Sequence, residues 1–462
     1  MPLEKLGFGI NLSTLDSGLN VITKAVPGNL VWAGLVVRDG SVYDPPGANG
    51  LAHLREHCIF DGIKSEAVSD HLPLISDHKT NWIVEGKGAT LNGLNSYQSV
   101  TYVLDYHRKH LPLMLDVLLK IVLLPKLSKE SVIYQKNVVC AELARDKENP
   151  LYGEQHSTHF DTMLREMLFD SNPIKNRFGG KREEVKTIGA GLVRKTFADF
   201  YAPNNLALIV VGQFKHSTIV DIVKKFESTY GKLLPDKLKK LPRVEAESLK
   251  ETRMKKRVKV WESDHFEHLV INMGYRAPNL FHRDMAPLRI LNGILGSFSF
   301  SRLYHHFRET KGLSYFAESR YFKTSIHGEF VVHANFHPKA REQTTDIIDQ
   351  AQEFIVKQLI GIAKGDISEE EFEHVKKSLY AYDRSFGLES PEYFRDLLVN
   401  AFEANNFTDG VSISESIQRE LDEVLKVKNC SLKRFLAAIN RQIEPERYAL
   451  LISGPPNCYP TS

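Results

Sequence analysis

Two stretches of this sequence share one pattern and decide how its fold is interpreted: Asn205–Gly212 (NLALIVVG) and Arg447–Gly454 (RYALLISG). Each is apolar and ends at a glycine, which is typical of a buried strand that runs into a turn. The two glycines are 242 positions apart (454 − 212). Ser128 and Ser368 are 240 apart, and each precedes charged residues and a helical pattern, as a helix N-cap does. The sequence therefore predicts an internal duplication.

The duplication predicts two homologous domains, at residues 1–231 and 256–462, joined by a linker at 232–255. The linker segment contains Pro235, Pro242 and a dense mixture of charges, and it has no sustained apolar period. Strand and helix patterns alternate in both halves. The predicted fold class is α+β, an α/β sandwich in each half, with a mixed and largely antiparallel sheet packed with helices.

The element pattern can be placed along the chain. Strands are predicted at 18–23, 30–37 and 100–104, and near 255–262, 268–275, 313–321 and 330–336. Helices are predicted at 50–60, 110–123, 129–147, 157–168 and 190–201, and near 285–295 and 344–362.

Composition excludes several classes of function. The 462 residues carry 60 basic and 57 acidic side chains, a net charge of +3, which argues against a nucleic-acid-coating protein. No apolar run approaches the roughly 18 residues of a membrane span, and no secretory signal is visible at the N-terminus. The four cysteines are far apart and form no CxxC pair. We therefore expect reduced thiols, a cytoplasmic location, and no nucleic-acid or membrane partner.

The sharpest chemical motif is the pentad His53-Leu-Arg-Glu56-His57, an H-x-x-E-H sequence at the start of a predicted helix. Histidines at i and i+4 stand one turn apart on one face, where both imidazoles can bind one Zn²⁺. Glu56 lies beside them and can reach a water molecule. This order is the reverse of the H-E-x-x-H zinc-peptidase motif. Without further support, two surface histidines on an ordinary helix remain the alternative.

A catalytic zinc usually takes a third protein ligand and keeps one open position. Glu142, on a predicted helix after an apolar stretch, is the best candidate. Cys140 is a rival ligand, and Cys58 adjoins His57. Residues at i and i+2 point to different helix faces, so Cys140 and Glu142 cannot both converge on one ion. We interpret both cysteines as small core residues.

These residues, in their order, resemble the pitrilysin or inverzincin (M16) metallopeptidases. The resemblance is to the half-length group that includes mitochondrial processing peptidase and its bacterial relatives, and it covers almost the whole chain. The matching segments are Gly50–His57, Phe60–Gly62, Val138–Glu142, Phe200–Gly212 and Arg308–Tyr315.

The resemblance implies a zinc endopeptidase with one Zn²⁺ per chain, held by His53, His57 and Glu142, with Glu56 as general base. It implies that Arg308 and Tyr315 contact the substrate from the second domain of a partner chain. Chains would pair as a homodimer or as a heterodimer with a related chain. Peptides or unfolded polypeptide segments would bind in extended form at the Leu91–Leu104 edge, which includes Asn92.

Two departures from the family favour the alternative of an inactive M16-like subunit that binds peptide or supports an active partner. The spacing from His57 to Glu142 is 85, longer than usual, with the extra length between Lys64 and Gly86. Gln135 stands seven before Glu142, where active relatives usually have a glutamate, so we expect it in the surroundings of the site rather than as a ligand.

The second half predicts no corresponding metal site. At the 240-residue offset, His53, His57 and Glu142 correspond to Gly293, Ser297 and Tyr382, which are not usual zinc ligands. We therefore expect one site per chain.

Overall fold

The computed structural model describes residues 4–68, 79–148, 156–244, 251–264, 266–337, 341–387, 390–405 and 411–457. The first sheet contains β1 (Glu4–Lys5), β2 (Ile10–Thr14), β3 (Asn20–Ala25), β4 (Leu30–Val37), β5 (Thr90–Asn95), β6 (Val100–His107) and β7 (Leu206–Gly212). Its spatial order is β1-β2-β3-β7-β4-β6-β5. Only the β3–β7 pair is parallel among these neighbours. The strand β5 therefore forms one edge of the sheet.

The second sheet repeats this topology. It contains β8 (Arg257–Glu262), β9 (Leu269–Ala277), β10 (Phe316–Lys323), β11 (Gly328–Phe336) and β12 (Ala449–Gly454). Its order is β8-β12-β9-β11-β10, with a parallel β8–β12 pair and antiparallel pairs elsewhere among these strands. The same order runs from β3 to β5 in the first sheet. The two NLALIVVG-like stretches are β7 and β12, at equivalent central positions, and the predicted α+β class with two sheets is confirmed.

The described residues also form fifteen α-helices. They are α1 (Leu51–Ile59), α2 (Lys79–Glu85), α3 (Leu111–Leu123), α4 (Lys129–Glu148), α5 (His156–Leu168), α6 (Arg182–Val185), α7 (Ala190–Phe200), α8 (His216–Tyr230), α9 (Met285–Leu295), α10 (Arg302–Tyr304), α11 (Arg341–Ala363), α12 (Glu369–Tyr382), α13 (Pro391–Asn405), α14 (Ile413–Lys428) and α15 (Leu432–Gln442). Both predicted N-caps are present. The Ser128 hydroxyl accepts a hydrogen bond from the Ser131 N–H at 3.0 Å, and the Ser368 hydroxyl accepts one from the Glu371 N–H at 3.0 Å.

The chain forms two compact units, and each takes a segment from the other half of the sequence. The first unit comprises residues 1–145, 176–244 and 387–420, and the second comprises 146–175, 245–386 and 421–462. The predicted boundary at 232–255 does not anticipate this exchange. Each unit has its own apolar core around its sheet.

The exchanged helices pack closely within the units that they join. In the second unit, α5 lies on β9, where Gly274 leaves room for Leu164, and Arg165 forms a buried ion pair with Glu329. In the first unit, α13 lies against β7. There the Arg38 guanidinium donates to the Phe402 carbonyl at 3.1 Å and stacks over its ring at 3.8 Å.

The structure describes three of the four cysteines and part of the predicted insertion. Cys58, Cys140 and Cys430 are buried and unpaired, and the first two belong to the first core. The cytoplasmic location inferred from them stays a prediction. Of the insertion between Lys64 and Gly86, residues 69–78 lie outside the described residues. Among the helices that the structure describes, none combines the length and apolar character of a membrane span.

Candidate metal centre

The helix that carries the pentad, α1, begins at a left-handed glycine whose N–H group is held by a half-buried carboxylate. Gly50 has φ of +102°, and its Cα lies against Gly180, so a side chain at this position would be both strained and blocked. The Asp44 carboxylate accepts hydrogen bonds from the N–H groups of Gly50 at 2.7 Å and Ala52 at 2.9 Å. Asp44 therefore satisfies the free donors at the start of α1.

On the side of α1 away from the histidines, Arg55 anchors the helix. Its Nε donates to Asp39 Oδ2 at 2.8 Å, and a second nitrogen pairs with the other Asp39 oxygen. Another guanidinium nitrogen donates to Thr196 Oγ1 at 2.5 Å. Arg55 and Asp39 are each 1% exposed. This buried pair fixes how α1 is rotated and therefore where the histidines point.

The structure brings His53, His57 and Glu142 together. The two Nε2 atoms are 3.2 Å apart, and Glu142 Oε2 lies 3.7 Å from His53 Nε2 and 3.4 Å from His57 Nε2. Two ligand atoms that each lie about 2.0–2.1 Å from a tetrahedral zinc ion are separated from each other by roughly 3.3–3.4 Å. The donor set and its spacing therefore fit a zinc ion, and this is the one cluster of metal-binding side chains found among the described residues.

The hydrogen bonds of the histidine rings leave their Nε2 atoms for the ion. His53 Nδ1 lies 2.9 Å from the Gly179 carbonyl oxygen, which can only accept, so this nitrogen carries the proton. Burial lowers the pKa of His53, which favours the neutral ring that a metal requires. Burial also acts to lower the pKa of His57, but the hydrogen bond that His57 donates to Glu142 and the nearby carboxylate charges raise it overall.

Glu56 lies beside this cluster in a dry environment. Its side chain is 7% exposed, and burial raises its pKa to about 7, with His57 opposing the rise and Glu142 adding to it. The carboxylate lies against Gly93 of β5, where a Cβ would be only 2.0 Å from Glu56 Oε1. A buried carboxyl group that titrates near neutral pH is suited to proton transfer.

Gln135 lies next to the ligands and is itself held by a carboxylate. Its Oε1 is 3.4 Å from His57 Nδ1, and its Nε2 donates to Asp61 Oδ1 at 2.6 Å. Asp61 was not anticipated as a site residue. Its signal was weak, because it stands in a loop and only the turn after α1 brings it to α4.

The other predicted substrate residues are divided between β5 and the second unit. Asn92 is exposed on the edge strand β5. Arg308 and Tyr315 lie together in the second unit, with the guanidinium 4.3 Å from the Tyr315 ring centroid and Tyr315 76% exposed. Their contacts with substrate stay a prediction.

The second unit fills the position equivalent to the metal site with apolar packing. Gly293 of α9, which corresponds to His53, faces Val375 of α12, and a Cβ on Gly293 would come within 2.6 Å of Val375 Cγ1. Val375 corresponds to Gln135 at the 240-residue offset (375 − 135). The two helices are therefore in direct contact where the first unit has its ligands.

The duplicated α+β scaffold with one His–His–Glu cluster defines a class of metallopeptidase-like proteins. A family model described as "Insulinase (Peptidase family M16)" matches residues 20–176, and one described as "Peptidase M16 inactive domain" matches 187–379. The chain belongs to peptidase family M16, as a half-length member.

Individual relatives agree with this assignment. The chain is 22% identical over 449 residues to a Bacillus subtilis protein named "Uncharacterized zinc protease YmxG", covering 97% of this chain and 99% of the relative. It is 24% identical over 392 residues to the alpha subunit of mitochondrial-processing peptidase from Pongo abelii, covering 80% and 70%. A crystal structure of a protease from Helicobacter pylori has the same fold, with a TM-score of 0.81, 20% identity, and coverage of 96% and 99%.

Proposed function

We propose that this chain is a zinc-dependent endopeptidase that cleaves peptides or unfolded protein segments. The observation that carries the proposal is the cluster of His53, His57 and Glu142, whose ligand atoms lie within 4.8 Å of one another, beside the buried carboxylate of Glu56. A relative over nearly the whole chain is named a zinc protease.

The chemistry divides between the metal and the side chains. His53, His57 and Glu142 would hold a zinc ion, which would supply the Lewis acidity that polarises a carbonyl group and lowers the pKa of water. Glu56 accepts a proton from the attacking water on its carboxylate and passes it to the leaving amine. Burial raises the pKa of Glu56 to about 7 in the metal-free chain, and a nearby zinc ion would lower it, which favours the ionised carboxylate that accepts the proton.

The edge strand β5 offers a place for an extended substrate. It pairs with β6 on one side, and no strand of the described residues pairs with its other side. A peptide that adds there lies next to Glu56, which contacts Gly93 of β5. On α4, Tyr134 lies two turns before Glu142 and is 63% exposed, and Val138 lies one turn before it and is 37% exposed, so an apolar surface flanks the ligand. We expect substrates to be extended, with apolar side chains near the cleaved bond.

The activity is tested with the purified chain and a set of internally quenched peptides. Glu56→Gln should keep the zinc and lose cleavage, because the amide cannot accept the proton. Glu66→Gln is the matched control, since Glu66 is exposed outside the site, and it should cleave as the wild type does. Turnover by Glu56→Gln at the wild-type rate would exclude the proposed base.

The second candidate is an inactive subunit of the same fold. Gln135 in place of the usual glutamate favours it. One relative is named as an alpha subunit, which supports pairing with a related chain. The isolated wild-type chain would then bind zinc but cleave no peptide, and cleavage would begin only after a related chain is added. This result would support the second candidate over the first.

Pairing of identical chains is also testable through Arg308. We propose that Arg308 completes the site of a partner chain. Arg308→Ala and Glu56→Gln chains should each be impaired alone, whereas a mixed dimer contains one site with both residues intact. Recovered activity supports a shared site, and verified mixed dimers without recovery exclude it.

A further inference from the structure

A chain of three polar side chains leads away from the metal ligands towards the loop after α1. His57 Nδ1 lies 3.4 Å from Gln135 Oε1, and Gln135 Nε2 donates to Asp61 Oδ1 at 2.6 Å. The other Asp61 oxygen accepts a hydrogen bond from the Ser131 hydroxyl at 2.5 Å. Gln135, the middle of this chain, is 9% exposed, whereas Asp61 and Ser131 are half-buried.

The donors and acceptors fix the orientation of the Gln135 amide. An ionised carboxylate can only accept, so the NH₂ group of Gln135 must face Asp61 and its carbonyl oxygen must face His57. That oxygen can also only accept, so His57 carries its proton on Nδ1. Nε2 is then the nitrogen left for the ion, and it lies 3.4 Å from Glu142 Oε2.

We propose that Asp61 and Gln135 act as a relay that positions His57 for metal binding. Histidine ligands usually donate their second N–H directly to a carboxylate, a carbonyl or water, which fixes the ring and makes it a better ligand. Here an amide stands between the ring and the carboxylate, and it passes on the orientation imposed by Asp61. The proposal rests on the proposed zinc site, and it makes Gln135 a functional replacement for the glutamate that it displaces.

A purely structural role for Asp61 is the alternative that the test must separate. Asp61 contacts Ser131 and Gln135, which are one turn apart on α4, so it also ties the loop after α1 to that helix. If Asp61 only holds the loop against α4, its removal should lower the folding stability of the metal-free protein. If Asp61 acts as a relay, its removal should lower the zinc affinity, and this effect should depend on Gln135.

The test is a double-mutant cycle on zinc affinity, measured by competition with a chromophoric chelator. Gln135→Met removes both hydrogen bonds at similar length, and Asp61→Ala removes the carboxylate. Each should weaken zinc binding about 10–100-fold. In the Gln135→Met background, Asp61→Ala should cause no further loss, because its path to His57 is already broken. Asn137→Met, at an exposed position of α4, is the matched control and should bind as the wild type does.

Two further measurements keep the outcomes distinct. Asp61→Asn serves where Asp61→Ala does not fold, and the Nδ1 proton of His57 in the zinc-bound protein, observed by NMR, should exchange with solvent more slowly in the wild type than in Gln135→Met. Unchanged zinc affinity in Gln135→Met, or equal losses from Asp61→Ala in both backgrounds, would overturn the relay. A wild type that binds zinc and cleaves peptide would leave the proposed function standing in that case, whereas a wild type without zinc would overturn both.

Discussion

Breaking the buried pair between Arg55 and Asp39 should strongly destabilise the unit that holds the metal centre. The Arg55 side chain is only 1% exposed, and Asp39→Ala removes the carboxylate that balances its charge. Thr196 then remains as a hydrogen-bond acceptor at 2.5 Å. Removing one partner of a buried ion pair typically costs about 3–5 kcal/mol of folding free energy. If the free energy of unfolding falls by about 2–3 kcal/mol for each molar of urea, the urea concentration at the unfolding midpoint should fall by roughly 1–2 M.

The double variant Asp39→Leu with Arg55→Met tests whether this loss comes from the uncompensated charge. Apolar replacement of a whole buried pair is often neutral or stabilising, so the double variant should recover most of the lost stability. Asp199→Ala is the control, because it breaks an exposed pair with Lys195 and should cost about 0–1 kcal/mol. Urea unfolding of the chelator-treated proteins measures all of these. A loss below about 1 kcal/mol in Asp39→Ala, or a double variant as unstable as the single, would refute the reasoning.

Three further predictions concern charge, metal and the base. Burial raises the pKa of Glu403 from 4.5 to about 7. Between these two pH values the carboxyl group is ionised in the unfolded chain and protonated in the folded chain. The free energy of unfolding therefore falls as the pH rises through this range, by about 3 kcal/mol in total. Glu403→Gln should therefore stabilise the protein at pH 8 and not at pH 4.5, and equal urea midpoint shifts at both would contradict this. Zinc at 100 times its dissociation constant should add about 2.7 kcal/mol, so chelation should lower the melting temperature of the wild type and leave that of Glu142→Ala unchanged. Gly93→Val should displace Glu56 and lower peptide turnover by about 100-fold, and a loss of zinc content instead would show that the ligands had moved.

Local spacing made the ligand pair of α1 predictable from the sequence. His53 and His57 stand one turn apart on any helix, and the Pro/Gly loop before them marked where that helix begins. The central strands β7 and β12 were equally accessible, because a continuous apolar run ending at glycine leaves few other interpretations. Glu142 was placed on its helix by the same periodicity, and the family resemblance selected it as the third ligand.

The relay residue Asp61 could not be predicted in the same way. Its contacts depend on a backbone turn that brings it to Ser131 and Gln135 across 70 and 74 positions of the chain. Hydrogen bonds between a loop and a distant helix leave no periodic signal in one sequence. The strand β5 was also weakly marked, since its residues alternate between half-buried and exposed and include Gly93 and two asparagines.

The exchange of helices between the two units was missed for a different reason. The amphipathic pattern of α5 shows that one face must be buried, but it does not say against which sheet. The choice is made by specific complementarity, such as the space that Gly274 leaves for Leu164 and the pairing of Arg165 with Glu329. These partners are more than 100 positions apart in the sequence.

Metal analysis of the purified chain after exposure to zinc and removal of the excess tests the central claim most directly. The wild type should retain one zinc ion per chain, and Glu142→Ala, which removes the distant carboxylate ligand, should retain far less under the same conditions. A folded wild-type chain without zinc, or full zinc retention by Glu142→Ala, would contradict the assignment of the metal centre.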